Sequence, residues 1–256
     1  MIVAVLQPYF FPYIGYFQLM NAVDTFVYLD DVQYIERGWV NRNRIRNGNR
    51  SMWLTMPVVN ASRSLSIRER NYVLDGPAVS RLTRTLTTSY RRGSGFAENW
   101  SMINALLANP EPNVASYNCH LLSTVARALG FRTTFLRSSE MKCTPNLKGE
   151  QRIIELCRRL GARHYVNPIG GLPLYGEDRF EASGISLSFL RTRVPPATLD
   201  GSIEHLSILD HLLWHGAIHT RAQLPDYDLL TPEKARAQAA QARATDVPTL
   251  GEKTLK

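Results

Sequence analysis

The amino-acid sequence predicts an α/β fold of Rossmann-like type, a mainly parallel sheet flanked by helices, and three features carry that expectation. Residues 2–6, Ile-Val-Ala-Val-Leu, are a continuous apolar run bounded by Pro8, as in a strand buried on both faces of a parallel sheet. A strand, a loop, a helical stretch and a second strand then follow one another within the first 30 positions, which is the order of a βαβ unit. Further along, runs rich in β-branched and aromatic residues alternate with stretches of helical period, several closed by a glycine, the pattern of helices laid over parallel strands.

Residues 15–22 can be helical after a loop rich in Tyr, Phe and Pro, and residues 25–29 read as the second strand, ending in Asp30 and Asp31. Residues 37–50 set Arg37, Arg42, Arg44, Arg46 and Arg50 among Asn and Gly, and read as an exposed polar loop before a strand at 52–56. An irregular run with Arg63, Arg68 and Arg70 leads to a helix from Pro77 to about Arg92, ended by Gly93 and Gly95. A helix at 114–129 is closed by Gly130, and a strand follows at 131–136. A helix at 149–160 buries Ile153, Leu156, Cys157 and Leu160 and ends at Gly161, before a strand at 164–167, a short helix at 177–182 and a strand at 185–190. Ser202 is the expected N-cap of a helix at 203–214 that Gly216 ends. Residues 1–230 are thus expected to form a single domain, with a helical subdomain near 77–130, and residues 231–256 a frayed or flexible tail with at most a loose helical turn series.

With 256 residues and 44% hydrophobic content, the chain can bury a full core without disulfides or metal. Cys119, Cys143 and Cys157 are an odd number without a Cys-x-x-Cys spacing, which fits a reducing compartment and inert, buried thiols. The apolar run at the start has no basic leader, and no stretch has the length of a membrane span, so the expectation is a cytoplasmic protein with no membrane span. The net charge of +8 favours an anionic partner.

Suggestive residues crowd the first 46 positions. The string QPYFFPYIGYFQL, the DDVQY after the second strand, the RGWVNRNRI that follows and the later KGEQRIIELCRRLGARHYVNPIGGLPLY resemble two blocks of the WbqC-like protein family. The resemblance implies an association with O-antigen and other bacterial surface-polysaccharide biosynthesis; it implies a pathway and leaves the reaction open.

The residues themselves carry the chemistry further. A strand that runs through a loop into a helix at Gly15 offers backbone N–H groups to an anion, with Gln7, Tyr9 and Tyr13 around it. Nucleotidyltransferases and class I synthetases carry His-x-Gly-His in such a loop, whereas this chain has Tyr13-Ile14-Gly15-Tyr16; a phenol cannot serve as the cation that imidazolium is, so arginines or Lys148 must supply the charge. Tyr9, Phe10, Phe11 and Tyr13 either pack as core or line a pocket. Asp30 and Asp31 stand where open α/β folds bind ligands, as a general base, a sugar-hydroxyl partner or a Mg²⁺ ligand, or else as a cap or ion pair. Arg37, Asn41, Arg42, Asn43 and Arg44, with Trp39 among them, are either a solvated loop or directional contacts to phosphate and sugar. Lys148 and Arg152 lie one helical turn apart. Asn167, Gly170 and Gly171 allow close approach of backbone to a ligand, with Tyr175 as lid or stacking partner. His211 and His215 share a helix face, but no carboxylate completes a metal site.

The leading expectation is an enzyme that transfers an acyl or aminoacyl group to a nucleotide-linked amino sugar, using Asp30 or Asp31 to activate the amine. The alternatives are nucleotidyl transfer or ATP-dependent ligation, and a non-catalytic protein that binds an anion or RNA. The partner is an anionic small molecule, a nucleotide sugar or a nucleotide, with an acyl carrier protein or aminoacyl-tRNA as the donor; no cofactor is assigned beyond Mg²⁺ with a nucleotide, and the oligomeric state stays open.

Overall fold

A computed structural model describes residues 1–144, 146–199 and 202–245. Its centre is a six-stranded sheet built from β1 (Ile2–Leu6), β2 (Thr25–Tyr28), β5 (Thr134–Arg137), β6 (His164–Pro168), β7 (Ser186–Thr192) and β10 (Tyr227–Leu230), in the spatial order β10-β7-β6-β1-β2-β5. All neighbours are parallel except β10, which runs antiparallel to β7 along one edge. Taking the parallel strands in chain order, the arrangement is 3-2-1-4-5, the Rossmann order, and its direction reverses between β1 and β6. Ligands of open α/β sheets bind in the crevice that such a reversal opens at the carboxyl ends of the strands.

Alternation along β1 shows why both faces are covered. Val3 and Val5 join a core with Val27, Leu156 of α5 (Gly149–Leu160) and Phe180 of α6 (Glu177–Glu181). Ala4 points the other way, into a larger core with Phe17 of α1 (Ile14–Asn21), Phe26 and Leu122 of α4 (Val114–Ala128). A parallel strand between two helix layers has no solvent face, so its sequence carries no polar alternation.

The structure departs from the sequence expectation in five places. The polar loop of 37–50 contains β3 (Arg42–Asn47), which pairs antiparallel with β4 (Arg50–Thr55). Its inward positions are Asn43 and Ile45 and its outward ones arginines, so only one apolar residue marks the alternation. After α2 (Gly76–Tyr90) a further helix, α3 (Phe96–Leu107), precedes α4. Residues 202–204 form β9 (Ser202–Glu204) against β8 (Ala197–Leu199), and the helix expected at 203–214 starts later, as α7 (Ile208–Asp210), capped by Ser207, whose Oγ accepts from Leu209 N at 3.2 Å. That helix continues as a π-helix (His211–His215) before α8 (Ala217–Gln223). Strand β10, four residues with Asp228 inside it, and α9 (Pro232–Thr245), whose Ala235 is buried, lie where no strand and a frayed tail are expected; residues 246–256 lie outside the described residues.

Candidate functional site

The crevice at the β1/β6 reversal holds a cavity of about 430 Å³, inside the range of ~300–1,000 Å³ common for small-molecule sites. Tyr9 and Tyr13 enter it from the chain leaving β1, and Gly170 from the chain leaving β6. Arg191 and Thr192 come from the end of β7, Trp39 and Asn43 from the hairpin segment, and His205 from the chain after β9.

The aromatic string after β1 splits its duties. Phe10 and Phe11 are fully buried in the core, while Tyr9 and Tyr13 face the cavity. Phe11 has a φ of +41°, a conformation that bulky L-residues seldom adopt. It is held by its carbonyl, which accepts from Asn43 Nδ2 at 2.9 Å and from Ser207 Oγ at 2.6 Å. Phe10 N donates to the Trp39 carbonyl at 3.0 Å and Ile208 N to the Pro12 carbonyl at 2.8 Å. The turn is therefore clamped between the hairpin segment and the start of α7.

Several other sequence candidates serve the same scaffold. Asn41 Nδ2 donates to the Met56 carbonyl at 2.9 Å, and the Gln7 carbonyl accepts from Tyr16 Oη at 2.8 Å. A Cβ on Gly15 would lie 2.3 Å from Cε2 of Tyr13, so that glycine makes room for the Tyr13 ring, which covers the first turn of α1. A Cβ on Gly171 would lie 1.8 Å from Asn167 Nδ2, so Gly171 gives the same room to a buried side chain. Gly170 meets nothing within 4 Å and stays open to the cavity. Tyr175 packs edge-on to Tyr165 and Phe180, with centroids 5.7 and 5.9 Å away.

The arginines of the hairpin segment sit outside the cavity. The Arg42 guanidinium lies 4.0 Å from the Trp53 ring centroid and that of Arg44 5.1 Å, while Trp53 stacks obliquely on Trp39 at 5.5 Å. Arg42 also donates to the carbonyls of Gly38 and Arg37. Arg37, Asn41 and Arg42 border a neighbouring depression of about 320 Å³ with Tyr34 and Arg70.

The aspartates occupy a separate corner, at the ends of β2 and β5. Asp30 is only 1% exposed. It accepts from Ser139 N at 3.0 Å and Ser139 Oγ at 2.7 Å, and its backbone N–H donates to Ser138 Oγ at 3.2 Å, and so ties two strand ends together. Asp31 is the more exposed of the pair; it accepts from Ser138 Oγ at 2.7 Å and forms an ion pair with Arg152. Lys148 is the exposed N-cap residue of α5, one turn from Arg152. The structure thus joins Asp31 of the first block to Arg152 of the second, but neither residue lines the aromatic cavity. With Arg152 on its carboxylate, Asp31 is a poor lone ligand for a divalent cation. Among the described residues, no group of three or more His, Cys, Asp or Glu side chains could hold a metal ion.

Burial raises the Tyr9 and Tyr13 phenols above their ordinary value, so both are neutral donors in the cleft. Burial lowers His205, which leaves a neutral imidazole able to accept a proton at the cavity wall. His205, Arg191 and Thr192, with Pro12 and Ile169, are lining residues that the sequence candidates did not include. Arg191 carries a usable signal, since it stands near the carboxyl end of a strand, as Asp30 does; His205 carries none.

The family model described as WbqC-like protein family matches residues 7–222, which include every residue named above as lining the cavity. The chain is 30% identical over 232 residues to "Uncharacterized protein Rv1507c" of Mycobacterium tuberculosis (strain ATCC 25618 / H37Rv), covering 88% of this chain and 96% of that protein. No solved structure matches. Among the described residues, no helix is long and apolar enough to cross a membrane.

Proposed function

The chain belongs to the WbqC-like protein family, and on that footing we propose that its aromatic cleft binds a nucleotide-linked amino sugar, to whose nitrogen the protein transfers an acyl or aminoacyl group during synthesis of bacterial surface-glycan precursors in the cytoplasm. One observation carries the reading: a cavity of about 430 Å³ at the β1/β6 reversal is lined from both family-like blocks, by Tyr9, Tyr13, Trp39 and Asn43 of the first and Gly170 of the second. Trp39 and the tyrosines offer flat faces to a nucleobase, and Arg191, whose Nη2 is ion-paired to Asp228 Oδ2 at 2.7 Å, offers its remaining guanidinium N–H groups to phosphate. In the transfer step the amine attacks the carbonyl of an activated ester or thioester. The C–N bond forms, the C–O or C–S bond breaks, and the amine proton passes to the unprotonated nitrogen of His205 and on to the leaving hydroxyl or thiol.

The test uses purified full-length protein. UDP-, dTDP- and GDP-linked amino sugars are titrated by calorimetry, then incubated with aminoacyl-tRNA or acyl-carrier thioesters and analysed by mass spectrometry. The expected result is saturable binding and a mass gain of one acyl or aminoacyl group on the sugar. Absence of both sinks the reading. Pyrophosphate release from a nucleoside triphosphate, lost in Lys148→Ala, replaces it with nucleotidyl transfer.

A further inference from the structure

Behind His205 lies a second cavity that the cleft does not use. It encloses about 270 Å³ and is walled by His205, His211, His215 and His219, with the Arg46–Asp210 pair at its floor. Its remaining walls are mostly apolar, including Ile14, Leu206 and the Pro195-Pro196 rim, whose fixed φ angles make that rim stiff. His205 lines both spaces and its ring packs against Tyr13 at 5.3 Å between centroids. The two spaces therefore meet at one side chain.

The chamber is built, and several segments hold it. Arg46 of β3 grips Asp210 in a bidentate pair, Nε to Oδ1 at 2.9 Å and Nη2 to Oδ2 at 3.0 Å. His211 and His215 are carried at the two ends of the π-helix, a form that is rare and recurs at functional sites. Carbonyls in that π-helix are taken by the first turn of α3 and the α2–α3 turn: Asn99 Nδ2 donates to the Leu212 carbonyl at 3.0 Å and Ser94 N to the Trp214 carbonyl at 3.1 Å. A Cβ on Gly93 would lie 2.2 Å from the Leu213 carbonyl oxygen and one on Gly95 2.1 Å from that of Leu212, so the turn is pressed directly onto the π-helix.

The chemistry of these walls selects a ligand. Arg46 and Asp210 cancel each other's charge, and burial holds His205, His211 and His215 below the ordinary imidazole range. These groups offer hydrogen bonds, and the one ion pair among them is internally compensated. His211 Nδ1 meets Gln223 Oε1 at 2.9 Å; an amide oxygen only accepts, so Nδ1 carries the proton and Nε2 is left as an acceptor. Neutral donors and acceptors beside apolar walls suit a group that is uncharged and rich in hydroxyls, with one apolar face. A phosphate would find Arg46 already held by Asp210, and an ammonium would find Asp210 already held by Arg46. The volume is at the lower end of ligand sites, near ~300 Å³, and fits a single ring.

We propose that this histidine chamber is a second subsite that holds the hexose ring of the ligand, threaded past His205 from the aromatic cleft. The proposal rests on the reading of the cleft as a nucleotide-sugar site and adds to it where the sugar goes.

The experiment separates the two. Calorimetry measures UDP, dTDP and GDP, each bare and as its hexose conjugate, against wild type, Ala197→Phe, which fills the chamber from β8, and the small control Ala197→Ser. The expected result is a preference of about tenfold for the conjugate, the worth of one or two net hydrogen bonds, lost in Ala197→Phe and kept in Ala197→Ser. A preference that survives Ala197→Phe, or no preference in wild type, overturns the proposal while leaving the cleft reading intact. In parallel, free D-glucose, an uncharged hexose, is titrated into wild type and the histidine ring C–H signals are followed by NMR, which needs neither nucleotide binding nor a variant that folds. Saturable shifts of His211, His215 and His219 support the chamber even if every nucleotide fails and the cleft reading falls; unmoved signals overturn it.

Discussion

Lowering the pH loads a proton onto an imidazole that the fold keeps neutral, and His211 is where the effect is largest. Burial drives its pKa from 6.5 down to about 4, against the opposing pull of Asp210 and Gln223, with His215 and His219 adding to the drop. Between those values the unfolded chain binds a proton that the folded chain does not, so stability rises with pH across the window. The contribution is complete above the unfolded value and is lost as pH falls towards the folded one. At about 1.4 kcal/mol for each factor of ten in proton affinity, the difference amounts to about 3 kcal/mol between roughly pH 7.5 and pH 4. His205 and His215 are depressed in the same direction and steepen the loss. The comparison is wild type against His211→Asn, whose amide nitrogen can replace Nδ1 as donor to Gln223 and which does not titrate. Urea unfolding at half-unit steps of pH gives two stability curves; carboxylate effects are common to both and drop out of their difference. That difference should change by about 3 kcal/mol over the window. Parallel curves would refute the assignment of a buried neutral imidazole at this position.

Three further outcomes are expected. Trp39 is 44% exposed, so Trp39→Ala should leave urea stability within about 1 kcal/mol yet weaken nucleotide-sugar binding by about tenfold or more by calorimetry, from the loss of a stacking face. Gly15→Ala places a methyl carbon 2.3 Å from Tyr13 Cε2 and pushes that ring into the cleft; ligand affinity should fall while unfolding changes by less than about 1 kcal/mol, and unchanged affinity would mean the ring has another place to go. Asn118→Ala removes bonds to the Pro8 and Val40 carbonyls at 2.9 and 2.7 Å and one of the two acceptors that Tyr72 Oη has at 2.9 Å, so denaturation should report a loss of about 2–4 kcal/mol.

What the sequence shows and hides follows from the range of each interaction. Strands β1 and β2 and helix α5 are legible because their apolar residues sit at local spacings. Strand β3 is hidden because Asn43, an inward position, is polar and is there for the Phe11 carbonyl 32 positions away. The commitment of Asp30 is invisible for the same reason, its serine partners being 108 and 109 positions distant. The split of the aromatic string, Phe10 and Phe11 inward and Tyr9 and Tyr13 to the cleft, is set by the strained φ of Phe11, which no residue pattern announces. Gly15 is read as offering N–H groups to an anion and Gly171 as letting backbone approach a ligand, whereas what lies against them is the Tyr13 ring and the Asn167 side chain. The π-helix shifts the hydrogen-bond register without altering the apolar pattern, and so escapes a reading based on period.

Gln18 sits in the first helix, fully buried, and its Nε2 donates to the carbonyls of Gln223 at 2.8 Å and Asp226 at 2.9 Å. A ribosome delivers the acceptors about two hundred residues after the donor, so the opening segment, though first to emerge, waits in an incomplete state until nearly the whole polypeptide exists. Translation products that stop short of position 223 would leave that amide without its two acceptors, and the cell's proteases should meet them as unfinished chains.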